Sequence, residues 1–189
     1  MIICIVISAS LALTYGLTKD RIALSETEEA DNARAAVFPD AEFELLYKLD
    51  DGEIAGLTDF PAVTELYGAV AAGGGGAAGA GEKASGYVAT VLNHGYGGQI
   101  EVIVGIRSDG IISGVRVSKL SETPGLGANA VNPEFYEQFG GKDSSKAIGV
   151  SKIADNSAEN DIVAISGATV TSNAVTGAVN AAARALEAR

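Results

Sequence analysis

The chain is poor in the residues that most often do chemistry. Among 189 residues there is one cysteine, one histidine, one methionine and no tryptophan. A lone Cys4 allows neither an intrachain disulfide nor a thiolate metal cage, and a lone His94 adds nothing to build one with. No metal site of the chain's own is expected. Positive charge is also scarce, with 13 Lys and Arg against 24 Asp and Glu and a formal net charge of −11. A surface of that sign repels a phosphate backbone, which excludes nucleic acid as a partner. A redox role would need an organic cofactor or a partner's metal.

Charge of either sign is missing from the first eighteen residues, "MIICIVISASLALTYGLT". As a helix this run is roughly 27 Å long, close to the ~30 Å hydrocarbon core of a bilayer. A cleaved signal would want a positive leader and a small-residue cleavage site, and no Lys or Arg precedes the run. Residues 1–18 are therefore expected to be a single membrane anchor with lipid as its partner, and Cys4 an apolar filler within it. Residues 19–37 suit a mostly polar helical stalk that ends near "FPDA", because Pro39 disfavours helix in the residue before it.

From residue 38 onward the pattern is that of one α+β domain with a largely antiparallel sheet and a C-terminal helix. "EFELLYKLDDGEIAGLTDF" predicts a hairpin around Asp50–Gly52, and "AVTELYGAVAAG" predicts a short helix. The run Gly73–Gly81 contains Gly74, Gly76 and Gly79 at G-x-G-x-x-G spacing, but it lacks the strand and helix that would make it a dinucleotide fingerprint. A surface loop is expected there. Strands are predicted over Tyr87–Leu92, Ile100–Ile106 and Ile112–Leu120, then a short helix over Pro133–Phe139 and a strand over Asp161–Ser166. The last helix is predicted over 172–188, with Val175, Val179, Ala182 and Leu186 facing the core.

Three loops carry polar groups that suggest a ligand. In "SGATVTS", Thr171 or Ser172 can cap the last helix. Small neighbours leave Thr169 approachable, and an anion attached there would meet the positive end of a helix. Modification, phosphate binding and simple capping all remain open on these residues alone. In "SETPGLG", Glu122 and Thr123 stand beside Leu126, which suits a flat heteroaromatic ring with a polar edge as well as an ordinary strand–helix connection. In "NHGYGG", His94 has no nucleophile or carboxylate in its own motif, so a turn or a backbone contact to a cofactor is expected.

Together, "SETPGLGANAVNPEF", "GYGGQIEVIVGI" and above all "SGATVTS" resemble the membrane-anchored FMN-binding family. Its members include the G component of the Rnf ion-translocating complex and the C component of the sodium-translocating NADH:quinone oxidoreductase. The resemblance runs along nearly the whole chain and is closer to the Rnf type. It implies FMN joined by a phosphoester to Thr169, installed by a dedicated flavin transferase. It places Ser166, Gly167, Ala168, Thr171 and Ser172 around that bond. Glu122, Thr123, Pro124, Gly125, Leu126, Gly127 and Tyr96 are expected near the isoalloxazine ring. The implied function is electron carriage within a complex that couples ferredoxin and NAD redox chemistry to ion translocation. Such a redox subunit has no catalytic residues of its own and works with other Rnf-type subunits, its soluble domain (38–189) on the extracytoplasmic side of the cell membrane. The alternatives are a counterpart of the quinone oxidoreductase's C component and a non-redox, membrane-tethered binding domain. Two features depart from the family pattern: Val163 stands where the transferase motif often has aspartate, with Asp161 two residues earlier, and the Gly73–Gly81 insertion.

A chain lacking residues 1–20, produced without partner subunits, is expected in the soluble fraction. Its recovery with washed membranes would overturn the anchor assignment.

Overall fold

The computed structural model describes residues 7–8, 14–15, 28–71, 85–153 and 159–187. It divides into two units, Met1–Asn32 and Ala33–Arg189. In the first, residues 7–8, 14–15 and 28–32 are helical. The rest of the expected anchor, the stalk's residues 19–27 and the glycine-rich insertion lie outside the described residues. Among the described residues no helix is long and apolar enough to cross a membrane.

The second unit is built on a five-stranded antiparallel meander in the order β1(Ala41–Lys48), β2(Ala62–Ala71), β3(Gly86–His94), β4(Gln99–Arg107) and β5(Ile112–Leu120). Side chains alternate across the sheet, so its central strands feed two cores. Ala89, Val91, Ile100, Val102 and Val104 pack with Val175, Val179 and Ala182 of the long helix α4(Thr169–Glu187). Val88 and Ile103 point the other way and pack with Ala33, Val37 and Phe38 at the end of helix α1 (28–37). Covering both faces explains why "QIEVIVGIR" is an almost unbroken buried run.

Two expectations fail in the same region. No tight turn forms at Asp50–Gly52: Asp50 instead caps a short helix, α2(Asp51–Ala55). Its carboxylate accepts from Glu53 N–H at 2.8 Å, and the Glu53 carboxylate accepts from Asp50 N–H at 2.9 Å. This reciprocal pair competes successfully with the hairpin turn. The predicted helix at 62–73 is the strand β2, in which Thr64, Leu66 and Gly68 alternate as buried residues. Lying between β1 and β3, this segment pairs its backbone on both sides, an outcome that local propensity does not weigh.

The remaining elements follow β5: a 3₁₀ turn (Gly127–Val131), α3(Pro133–Tyr136) and a second 3₁₀ turn (Glu137–Phe139). The predicted strand at Asp161–Ser166 shortens to β7(Ile162–Val163), which pairs in parallel with β6(Val150–Ser151). Asn180 ties this small sheet's lead-in segment to α4, donating to Ile148 O and accepting from Ile148 N–H, each at 2.9 Å.

One polar cluster sits where α1 ends. Arg34 is buried, stacks 4.4 Å above the Tyr67 ring and lies 3.5 Å from Glu65. Tyr67 donates to the Glu65 carboxylate at 3.1 Å. Burial, reinforced by the Glu65 charge, pushes the Tyr67 hydroxyl above its ordinary value of 10. Above that pH the unfolded chain releases this proton while the folded chain retains it, so stability falls as pH rises. In urea unfolding followed from pH 9 to 11.5, Tyr67→Phe is expected to flatten this decline. An unchanged slope would refute the assignment.

Candidate functional site

The site lies at one end of the sheet because strand register brings three loops together. His94 pairs with Gln99, so the turn 95–98 closes β3 onto β4, and Ile100 pairs with Leu120, which sends the 121–127 loop out beside that turn. The first turns of α4 reach the same place, where Asn93 Nδ2 donates to Ala174 O at 2.7 Å. The result is a recess of about 430 Å3.

Nine of the residues expected at a cofactor line it: Tyr96, Glu122, Thr123, Leu126, Gly127, Gly167, Ala168, Thr169 and Thr171. Pro124 and Gly125 belong to the same loop but not to the lining, while Ser166 faces a neighbouring recess beside Asn129, Asn132 and Gln138. Ser172 is fully buried: its hydroxyl accepts from Ile165 N–H and donates to Ala168 O, both at 3.0 Å. His94 uses its ring for packing, edge-on to Phe60 at 4.3 Å.

Helix α4 starts at Thr169, three residues ahead of expectation, and this changes the roles of its hydroxyls. Thr171 and Ser172 are inside the helix and do not cap it. The intrahelical ladder opens with Ser172 N–H to Ala168 O at 3.0 Å. The amides of Thr169, Val170 and Thr171 precede that bond, as the first donors of any helix do. They stand beside the half-buried Thr169 side chain, a suitable donor set for an anion. The early start also brings Val170 into the lining, a residue that sequence reasoning missed. The signal was weak, since only the helix boundary decides which way that valine points.

The walls are mixed. Tyr96, Leu126 and Val170 are 76%, 44% and 53% exposed, and all three face this one recess. Glu122 is the one charged residue among those lining it. Its Oε1 accepts from Tyr96 N–H at 2.7 Å and from Gly97 N–H at 3.2 Å. Among the described residues no cluster of His, Cys, Asp and Glu could hold a metal ion.

The FMN-binding domain family model matches residues 95–184, from the β3–β4 turn through most of α4. Over nearly its full length the chain is similar to two curated proteins. One is the G component of the Na+-translocating ferredoxin:NAD+ oxidoreductase complex of Acetobacterium woodii, with 35% identity over 95% of this chain and 84% of the relative. The other is the G component of the ion-translocating oxidoreductase complex of Methanosarcina acetivorans, with 34% identity over 96% and 88%. The chain belongs to this family of G components. Its fold is also that of the C component of the Na+-translocating NADH-quinone reductase of Parabacteroides distasonis, with a TM-score of 0.58 and 20% identity over 88% of this chain and 95% of that one.

Gly127 closes the recess tightly: a Cβ there would lie 2.5 Å from Glu122 Oε2 and 2.6 Å from Thr171 Oγ1. Gly127→Ala is expected to cost about 1–3 kcal/mol, as overpacking generally does. It should lower both the melting temperature and the flavin content of the purified chain. Gly140→Ala meets only a carbonyl at 3.4 Å and serves as the control. Equal behaviour of the two variants would contradict the close packing.

Proposed function

We propose that this chain carries FMN on the side-chain oxygen of Thr169 and acts as the electron-carrying subunit of a membrane complex that couples ferredoxin and NAD redox chemistry to ion translocation. The observation that carries the reading is the convergence of three exposed apolar side chains, Tyr96, Leu126 and Val170, on a recess that also holds Thr169 and the opening amides of α4. Exposed apolar groups gathered in one concavity suit a flat ring that covers them, and the amides suit a phosphate. The donor set therefore fits FMN. A bound flavin supplies the capacity to take up and release electrons, and the protein supplies its position and surroundings.

In this reading Thr169 provides the bonded oxygen. Its half-buried side chain stands next to the small Ala168 and Gly167, with room for a bulky group, whereas Thr171 is 1% exposed and lies against Gly127. Leu126 and Tyr96 flank the ring. Thr123, exposed at the rim, offers a hydroxyl to its polar edge. A flavin transferase attaches the group. Val163, where the family's transferase motif often has an acid, has its backbone held by the Gln138 amide at 2.7 and 3.3 Å. Residues 1–18 anchor the chain, the stalk of residues 19–37 ends packed on the sheet through Ala33 and Val37, and 38–189 lie on the extracytoplasmic side beside the other subunits.

The test is covalent labelling. Produced with an active flavin transferase and then denatured, the wild-type chain and Thr171→Ala should give a fluorescent band, and Thr169→Ala should not. Fluorescence retained in Thr169→Ala, or lost only in Thr171→Ala, would refute the attachment site.

A further inference from the structure

The turn after β3 is organised around an atom from another loop. Its own closure uses Gly95 N–H to Gly98 O at 2.8 Å. The next two amides, of Tyr96 and Gly97, converge on a single acceptor, Glu122 Oε1. Successive N–H groups arranged in this way form a nest that binds anions. Left empty, such a nest would suit a phosphate, but here the chain's own carboxylate fills it. The packing on both sides makes room for that carboxylate. A Cβ on Gly95 would collide with Oε1, and one on Gly127 would come within 2.5 Å of Oε2. One glycine from each loop thus shapes a seat for the same side chain.

This bears on Tyr96. Its side chain is 76% exposed yet lines the recess, so its place depends on where the backbone of the turn is held more than on packing of the ring. We propose that Glu122 is a positioning residue. Its carboxylate latches the 95–98 turn to the 121–127 loop, keeps Tyr96 as one wall of the recess, and sets a single negative charge beside the group bound there. The latch stands independently of the ligand; its effect on a flavin rests on the reading above. A fixed negative charge disfavours electron uptake by a neighbouring ring. Gln at position 122 keeps a carbonyl acceptor for the two amides but removes the charge, whereas Ala removes both.

The full chain, produced without flavin transferase, tests the latch by amide hydrogen exchange. Exchange at Tyr96 and Gly97 should quicken by about tenfold or more in Glu122→Ala, the loss expected for bonds to a charged acceptor, with Val104 in the core as the unchanged reference. Glu122→Gln should restore most of the protection. Gly95→Ala, whose Cβ would meet both Glu122 Oε1 and the buried Ile100 side chain, should also quicken exchange at Tyr96 and Gly97. The flavin-loaded chain tests the positioning role. Iodide quenching of the flavin, read at about 1 M salt so that the lost charge does not itself admit the anion, should rise in Glu122→Ala but not in Glu122→Gln. The Gln variant should favour flavin reduction by about tenfold, roughly 30 mV for a two-electron couple. Unchanged exchange at Tyr96 and Gly97 in Glu122→Ala would overturn the latch. Faster exchange with unchanged quenching and potential would overturn its role toward the flavin. If even the wild-type chain takes up no flavin, the functional reading fails while the exchange arm still decides the latch.

Discussion

The seating of α4 on the sheet is the constraint on which the rest of the structure depends. Val175, Val179 and Ala182 are fully buried against β3 and β4, and the bond from Asn93 Nδ2 to Ala174 O fixes the helix along its axis. Farther along, Asn180 fixes it to the Ile148 segment. With 1.5 Å of rise per residue, seating Ala174 beside Asn93 places Thr169 about 7.5 Å farther back along the helix axis. That is where the β3–β4 turn and the loop after β5 emerge. A slip of one residue would turn the valine stripe by roughly 100° and take Thr169 out of the recess with it, so core packing and site geometry are enforced together.

The helix is rich in hydroxyls for a buried element, and the structure divides them by role. Ser172 and Thr176 turn back to carbonyls one turn earlier, Ala168 O at 3.0 Å and Ser172 O at 2.9 Å. These bonds satisfy groups that burial would otherwise penalise. They also occupy the hydroxyls deeper in the helix, while Thr169 stays at its open end beside amides ahead of the ladder. The same division holds in the loops. Glu122, the one charge at the recess, is committed to two backbone donors, and His94 is committed to packing on Phe60. What remains toward the cavity is threonine hydroxyls, a helix terminus and apolar walls. Such a site can hold a redox group but has little with which to perform acid–base chemistry itself, in keeping with a subunit that relays electrons between partners.

Much of this was legible in the chain alone, for physical reasons that act locally. Periodicity identified β3, β4 and β5 to within a residue or two, because alternating or continuous β-branched residues suit strands buried on both sides. The stripe Val175, Val179, Ala182 marked the helix face. The small residues around Thr169 and the Pro/Gly loop at 123–127 marked places where something can approach closely, and the match of these motifs to a known family carried the cofactor. The uncharged run at 1–18 is read from sequence alone.

Only the tertiary structure decided the rest, wherever a residue's role depends on a distant partner. β2 is a strand because β1 and β3 lie on either side of it, and Asp50 caps a helix because the connection between β1 and β2 is long enough to hold one. α4 starts at Thr169 because its core contacts and the Ala168 carbonyl support another turn, which moves Thr171 and Ser172 from cap to interior and brings Val170 to the cavity. No local pattern could show that Glu122 serves a turn twenty-six residues earlier, or that Gly95 and Gly127 make room for it. Spacing in the sequence identifies which loops can bind a ligand. How those loops are held against one another is set by contacts between residues far apart in the chain.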